Sequence, residues 1–81
     1  EPKFENIDYY HTISLNLNHY RRCMGYTQAM LAEKVDLTSS YLSQIESINT
    51  VRSFSMETFF DLARALEIEP YKLIKPLDDD M

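Results

Sequence analysis

Apolar residues recur along this chain at helical rather than strand spacing. Between residues 7 and 24, Tyr10, Ile13, Leu17, Tyr20 and Met24 follow one another at steps of three and four, the stripe of an amphipathic helix. Asn6 or Asp8 is expected to cap its start, and residues 1–6 read as a frayed lead-in. Gly25 stands just past the run, where a helix end favours the left-handed backbone. Thr27 then serves as N-cap of a short second helix, whose buried face is read as Ala29, Leu31, Ala32 and Val35. Met30 occupies the third helical position, so no reciprocal capping box forms. After the break Asp36, Leu37, Thr38, a third helix is capped by Thr38 or Ser39 and runs to about Ser47, burying Leu42 and Ile45. The helical period disappears over residues 48–54, which read as a loop. Ser55 caps a fourth helix with Met56, Phe59, Phe60, Leu62, Ala63 and Leu66 as its apolar positions. Pro70 suits the first turn of a last short helix, residues 71–74; Pro76 stops it, and Asp78, Asp79 and Asp80 form a solvated tail.

Composition narrows this five-helix picture without changing it. Eighty-one residues hold one domain and one core, burying only somewhat more than about 60% of the unfolded surface. The ordered core is expected over residues 7–75 of a single domain spanning 1–81. One glycine and three prolines argue against a hairpin-rich β fold, which needs repeated turn signals. Cys23 is the only cysteine; it supports neither an internal disulfide nor a Cys-based zinc site, and a reduced, cytoplasmic setting is the simplest expectation. No apolar run approaches the roughly 20 residues of a membrane span, and the acidic, polar start does not read as a signal peptide.

The stretch that carries chemistry is residues 27–46, TQAMLAEKVDLTSSYLSQIE. Two short helices separated by a three-residue turn pack through Leu31, Ala32 and Val35 and through Leu42 and Ile45, which sets them at a steep angle and projects the second outward. Its outward face carries Ser39, Ser40, Tyr41, Ser43 and Gln44, hydroxyl or amide side chains able to donate and accept hydrogen bonds at base edges.

This constellation resembles the Cro/CI-type (XRE, lambda-repressor-like) helix-turn-helix family. The resemblance rests on Gln28-Ala29-x-Leu31-Ala32-x-x-Val35 and Ser39-x-Tyr41-Leu42-Ser43-Gln44-Ile45-Glu46. It extends back to Tyr20-Arg21-Arg22 and forward through Ser55-Met56-Glu57-Thr58, Leu62-Ala63-Arg64-Ala65-Leu66 and Leu73-Ile74, about residues 10–75 in all. It implies an all-α, five-helix lambda-repressor-like domain whose third helix enters the major groove of double-stranded DNA. By the resemblance, Gln28 contacts a phosphate and braces the recognition helix, while Ser39, Ser40 and Gln44 read bases. Tyr41 and Ser43 flank them towards phosphates or sugars, and Arg21 and Glu46 form a structural ion pair. The chain departs from the family pattern after Glu46, where a longer loop without glycine replaces a short Glu-Asn-Gly turn. Asn49, Thr50, Arg52 and Ser53 are the substitutes for that turn's phosphate contacts, with Arg52 the loop's one cation.

Charge bears on this reading. The net charge of −5 is low for a DNA binder, because phosphate neutralisation supplies much of the affinity. The acid is concentrated at the ends: residues 19–55 carry Arg21, Arg22, Lys34 and Arg52 against Glu33, Asp36 and Glu46, a net +1. Two functions therefore compete. One is a sequence-specific transcriptional regulator that reads a palindromic operator as a homodimer through the fourth and fifth helices, with Leu66, Ile68, Tyr71, Leu73 and Ile74 at the interface. The other is a protein-interaction module of the same fold, antitoxin-like or anti-repressor, with weak or no DNA binding. An enzyme is discarded, since no nucleophile motif, paired carboxylates or Gly-rich phosphate loop occurs. No metal or cofactor is implied: His11 and His19 lie two turns apart without a convergent Asp or Cys. Tyr9, Tyr10, Tyr20 and Tyr71 are expected in the core or half-buried, Met24, Met30 and Met56 as gap-fillers, and Cys23 as a small buried hydrophobe.

Overall fold

The computed structural model describes residues 2–77. A 3-10 turn, Phe4–Asn6, leads into five helices: α1 (Ile7–Cys23), α2 (Gln28–Lys34), α3 (Ser39–Glu46), α4 (Met56–Ala65) and α5 (Tyr71–Ile74). No strand occurs among the described residues, and none of their helices is long and apolar enough to cross a membrane. The acidic tail Asp78, Asp79 and Asp80 lies outside the described residues.

The helix starts follow local capping chemistry. The side-chain oxygens of Thr27, Thr38 and Ser55 accept the backbone N–H of Met30 (3.1 Å), Tyr41 (3.0 Å) and Thr58 (3.1 Å), each cap stabilising by roughly 1 kcal/mol. Helices α5 and α1 start without a side-chain cap; α5 begins behind Pro70, and at α1 neither expected cap forms. The 3-10 turn feeds into it without leaving the right-handed region, and the Asn6 N–H donates to Lys3 O instead.

Three helices close with the same pair of backbone bonds. At the end of α1, Gly25 has φ +76°, its N–H donates to Arg22 O, and the Tyr26 N–H reaches back to Arg21 O. Asp36 after α2 and Glu67 after α4 repeat the arrangement at φ +59°. There the N–H groups of Leu37 and Ile68 donate to Ala32 O and Ala63 O. This Schellman closure satisfies carbonyls the helix leaves open. A non-glycine residue accepts the left-handed backbone there at a cost.

All five helices contribute to one core: Ile13 and Leu17 of α1, Leu31 and Ala32 of α2, Leu42 and Ile45 of α3, Phe59, Leu62, Ala63 and Leu66 of α4 and its cap, and Leu73 of α5. Helix α1 packs against α3 and α5, and α2 against α3 and α4. The loop after α3 is pinned at its far end, where the Phe54 ring meets Tyr10 edge-on with centroids 5.7 Å apart.

Several sequence expectations are corrected here. Leu66 and Leu73 are sealed inside the protomer's own core and are unavailable to a partner. Ala29 faces solvent, and the short α2 buries only Leu31 and Ala32 fully. Met30, Met56 and Phe60 are exposed, as are Tyr9 and Tyr71, so these two methionines are not gap-fillers. Cys23 lies at the exposed end of α1. Buried polar residues take helical positions the apolar pattern did not mark. The Asn16 amide donates to the carbonyls of Lys72, Leu73 and Lys75 at 3.2, 2.9 and 2.8 Å, fastening α5 to α1.

Candidate nucleic-acid interface

The candidate interface is built outward from one buried carboxylate. Glu46, the last residue of α3, has a side chain only 2% exposed. Arg21 of α1 meets it as a fork, Nε to Oε2 at 2.8 Å and Nη2 to Oε1 at 3.0 Å. The remaining guanidinium nitrogen, Nη1, donates to Tyr26 O at 2.8 Å. Asn18 Nδ2 and Gln28 Nε2 donate to the same Oε1 at 3.2 and 3.1 Å. One carboxylate thus ties α1, the start of α2 and the end of α3 together. Charge-assisted bidentate geometry of this kind fixes orientation as well as adding energy. Ser14 completes the clamp, its hydroxyl donating to Ile45 O at 2.6 Å. No buried side-chain nitrogen or oxygen among the described residues lacks a partner.

With its C-terminus clamped and Leu42 and Ile45 in the core, α3 turns a polar face outward. Ser39, Ser40 and Ser43 are exposed; Tyr41 and Gln44 are half-buried. The eight residues of α3 at about 1.5 Å rise make a rod roughly 12 Å long, and an α-helix about 10–12 Å across fits the width of the B-DNA major groove.

The loop after α3 folds one side chain back onto this face. Arg52 Nη1 donates to Gln44 Oε1, and its guanidinium carbon lies 4.9 Å from the centre of the Tyr41 ring. Arg52 is itself exposed, and it is the cation nearest the outward face of α3, which carries no Lys or Arg. Asn49 and Thr50 are exposed in the same loop, where the Asn49 N–H donates to Ser47 Oγ.

The structure therefore brings together Tyr41, Gln44 and Arg52 on one side and Arg21, Gln28 and Glu46 beneath. The residues assigned to a dimer surface are divided. Tyr71 and Ile74 are exposed and Ile68 is half-buried, whereas Leu66 and Leu73 are internal. Ile74 borders an apolar groove with Tyr9, Tyr10, Phe54 and Met56. Ser14 and Asn18 carry a signal in the sequence, since Ser14, Leu17, Asn18 and Arg21 fall at helical steps along one face of α1, whereas Asn16 lies off that face. His19 Nε2 and Cys23 Sγ approach to 3.7 Å across one turn. No cluster of three or more His, Cys, Asp or Glu gathers among the described residues.

A packed pair of short helices, a clamped second helix and its outward polar face define a DNA-binding helix-turn-helix domain of XRE type within an all-α, lambda-repressor-like fold. The sequence profile of the helix-turn-helix family HTH_3 matches residues 19–73, and the chain belongs to that family, one of DNA-binding regulators rather than enzymes. Among solved structures, the chain is similar to the restriction-modification controller protein C.AhdI from Aeromonas hydrophila. The two share 31% identity at a TM-score of 0.72, covering 79% of this chain and 94% of that one. A hypothetical transcription factor, NHTF, from Neisseria shares the fold at a TM-score of 0.83 and 23% identity, covering 90% of this chain and 80% of that one. No curated protein matches the chain significantly.

Proposed function

We propose that this protein is a sequence-specific transcriptional regulator that lays α3 in the major groove of a palindromic operator and binds as a homodimer. The observation that carries the reading is the outward Ser39, Ser40 and Gln44 face on a helix whose other end is locked by the Glu46 clamp. Similarity to a controller protein at 31% identity supports it. Ser39, Ser40 and Gln44 face the base edges. Gln28, Tyr41, Ser43, Asn49, Thr50 and Arg52 surround them on the side of the sugar-phosphate backbone. One eight-residue helix contacts too few base pairs for useful discrimination, so two half-sites about one helical turn apart are required. Tyr71 and Ile74 are the residues of the assigned dimer surface that remain exposed to meet a second copy, while Ile68 packs in part against the core. With a net charge of −5 and few cations near α3, affinity per subunit is modest and depends strongly on pairing and on salt.

Selection of bound duplexes from a random pool, with the mass of the free and bound species measured alongside, tests this directly. An enriched inverted repeat bound by two copies is the expected result. Failure to enrich any sequence at low salt, together with recovery of one stoichiometric protein partner, would assign the fold to protein interaction instead.

A further inference from the structure

Arg52 does more at this site than supply charge. Within the DNA-binding reading above, on which this inference rests, we propose that Arg52 is a specificity-determining positioning residue. It turns the carbonyl of Gln44 back onto the protein, so that Gln44 presents its N–H groups to the base and selects an acceptor edge, guanine at O6/N7 or thymine at O4.

The orientation of the Gln44 amide follows from elementary chemistry. A guanidinium carries five N–H donors and no acceptor. The amide atom facing Arg52 Nη1 is therefore the oxygen, Oε1, and the free function is Nε2 with its two hydrogens. Tyr41 holds the other side of the arrangement, with the Arg52 guanidinium over its ring at 4.9 Å. Tyr41 and Gln44 lie three residues apart on α3, so one planar cation bridges two side chains of the recognition face. An amide reads adenine by accepting from N6 and donating to N7 in one plane, which requires its oxygen to be turned towards the base. Here the accepting atom is already engaged by a charged donor. Edges that only accept suit what remains, and guanine, with O6 and N7 side by side, suits it best. Arg52 belongs to the same unit as the base reader, eight residues along the chain from it and across the loop. The long loop after α3 thereby has a role that a short turn following Glu46 does not offer, because it returns a cation to the tip of Gln44.

The test is selection from a random duplex pool with the wild type, Arg52→Ala, Arg52→Lys and Gln44→Ala, each followed by affinity measurements over a range of salt. Gln44→Ala identifies the base pair that depends on Gln44. In the wild type that position is expected to be guanine or thymine on the contacted strand, preferred by about tenfold or more over adenine. Arg52→Ala levels the preference or turns it towards adenine. Arg52→Lys keeps the charge and restores the salt dependence, but not the base preference, since an ammonium lacks the planar fork that spans Tyr41 and Gln44. Arg52 is exposed, so the variants keep the wild-type melting temperature. Full recovery of the preference by Arg52→Lys would overturn the proposal, as would equal weakening of all sequences by Arg52→Ala. Adenine at the Gln44-dependent position of the wild type overturns the inference and leaves the DNA reading intact; a wild type that selects no sequence overturns both.

Discussion

Replacing Glu46 by alanine removes four hydrogen bonds from the junction of three helices. It leaves the Arg21 guanidinium, 10% exposed at the side chain, without its counter-ion. Removing one partner of a buried ion pair costs about 3–5 kcal/mol, most of it the penalty of the stranded charge. The lower end applies here. Arg21 Nη1 keeps its bond to Tyr26 O, and the exposed edge of the guanidinium admits water. Asn18 and Gln28 reach half-buried surface and find water when Glu46 is gone. A loss of about 3 kcal/mol is a large part of the stability of a domain this size, and corresponds to a fall in Tm of roughly 12–24 °C. Denaturant unfolding monitored by far-ultraviolet circular dichroism measures the loss, with Arg21→Met, Glu46→Leu and the double variant as a cycle. The double variant, which strands no charge, is expected to recover most of the stability lost by either single change. A loss below about 1 kcal/mol for Glu46→Ala is the value of an exposed pair, and would show that the clamp does not hold α3.

Three further outcomes follow from the fold. Glu67→Gly relieves a left-handed residue at φ +59°. After the unfolded-state entropy of glycine is offset, it should stabilise by about 0.5 kcal/mol, and a lowered Tm contradicts this. Asn16→Ala strands three carbonyls at the end of α5 and should cost about 1–3 kcal/mol or somewhat more. Hydrogen exchange should then accelerate at the Leu73 and Lys75 amides more than in α2 and α3; uniform acceleration would show that Asn16 is not what fastens α5. Cys23 is exposed and should react with a thiol reagent in the native protein within minutes, whereas reaction only after denaturation would place it inside.

The helices and their order were legible because each carries a period, a cap or a stop in the residues themselves. Thr27, Thr38 and Ser55 cap as their side chains dictate, and Gly25 closes α1 as a lone glycine should. Closure at Glu67 was not legible, since glutamate does not favour a left-handed backbone, and at Asp36 the aspartate is a weak signal for it; the packing of Leu37 and Ile68 against the core accompanies both. The outward positions of Met56, Phe60, Tyr9 and Tyr71 were misjudged because an apolar side chain reports helical phase, whereas burial depends on which neighbour covers that phase. Assigning Leu66 and Leu73 to a partner surface failed for the complementary reason: α4 and α5 turn those residues to their own core. The polar clamp escaped the apolar pattern altogether, apart from Arg21 and Glu46. Ser14, Asn16 and Asn18 are buried or half-buried through contacts that exist only once α3 and α5 lie against α1. The Arg52–Gln44 contact spans a loop without periodicity, so the sequence set both residues near the site without pairing them.

The central claim is that α3 and the loop after it form the DNA surface, and amide chemical-shift mapping during titration with a selected duplex tests it most directly. The account predicts that the largest shifts fall on Ser39, Ser40, Tyr41, Ser43, Gln44 and Arg52 and weaken with added salt, and that shifts at Tyr71 and Ile74 are smaller and accompany pairing of two copies. Shifts centred on the apolar groove by Tyr9 and Met56, or no shifts at low salt with any duplex, would contradict it.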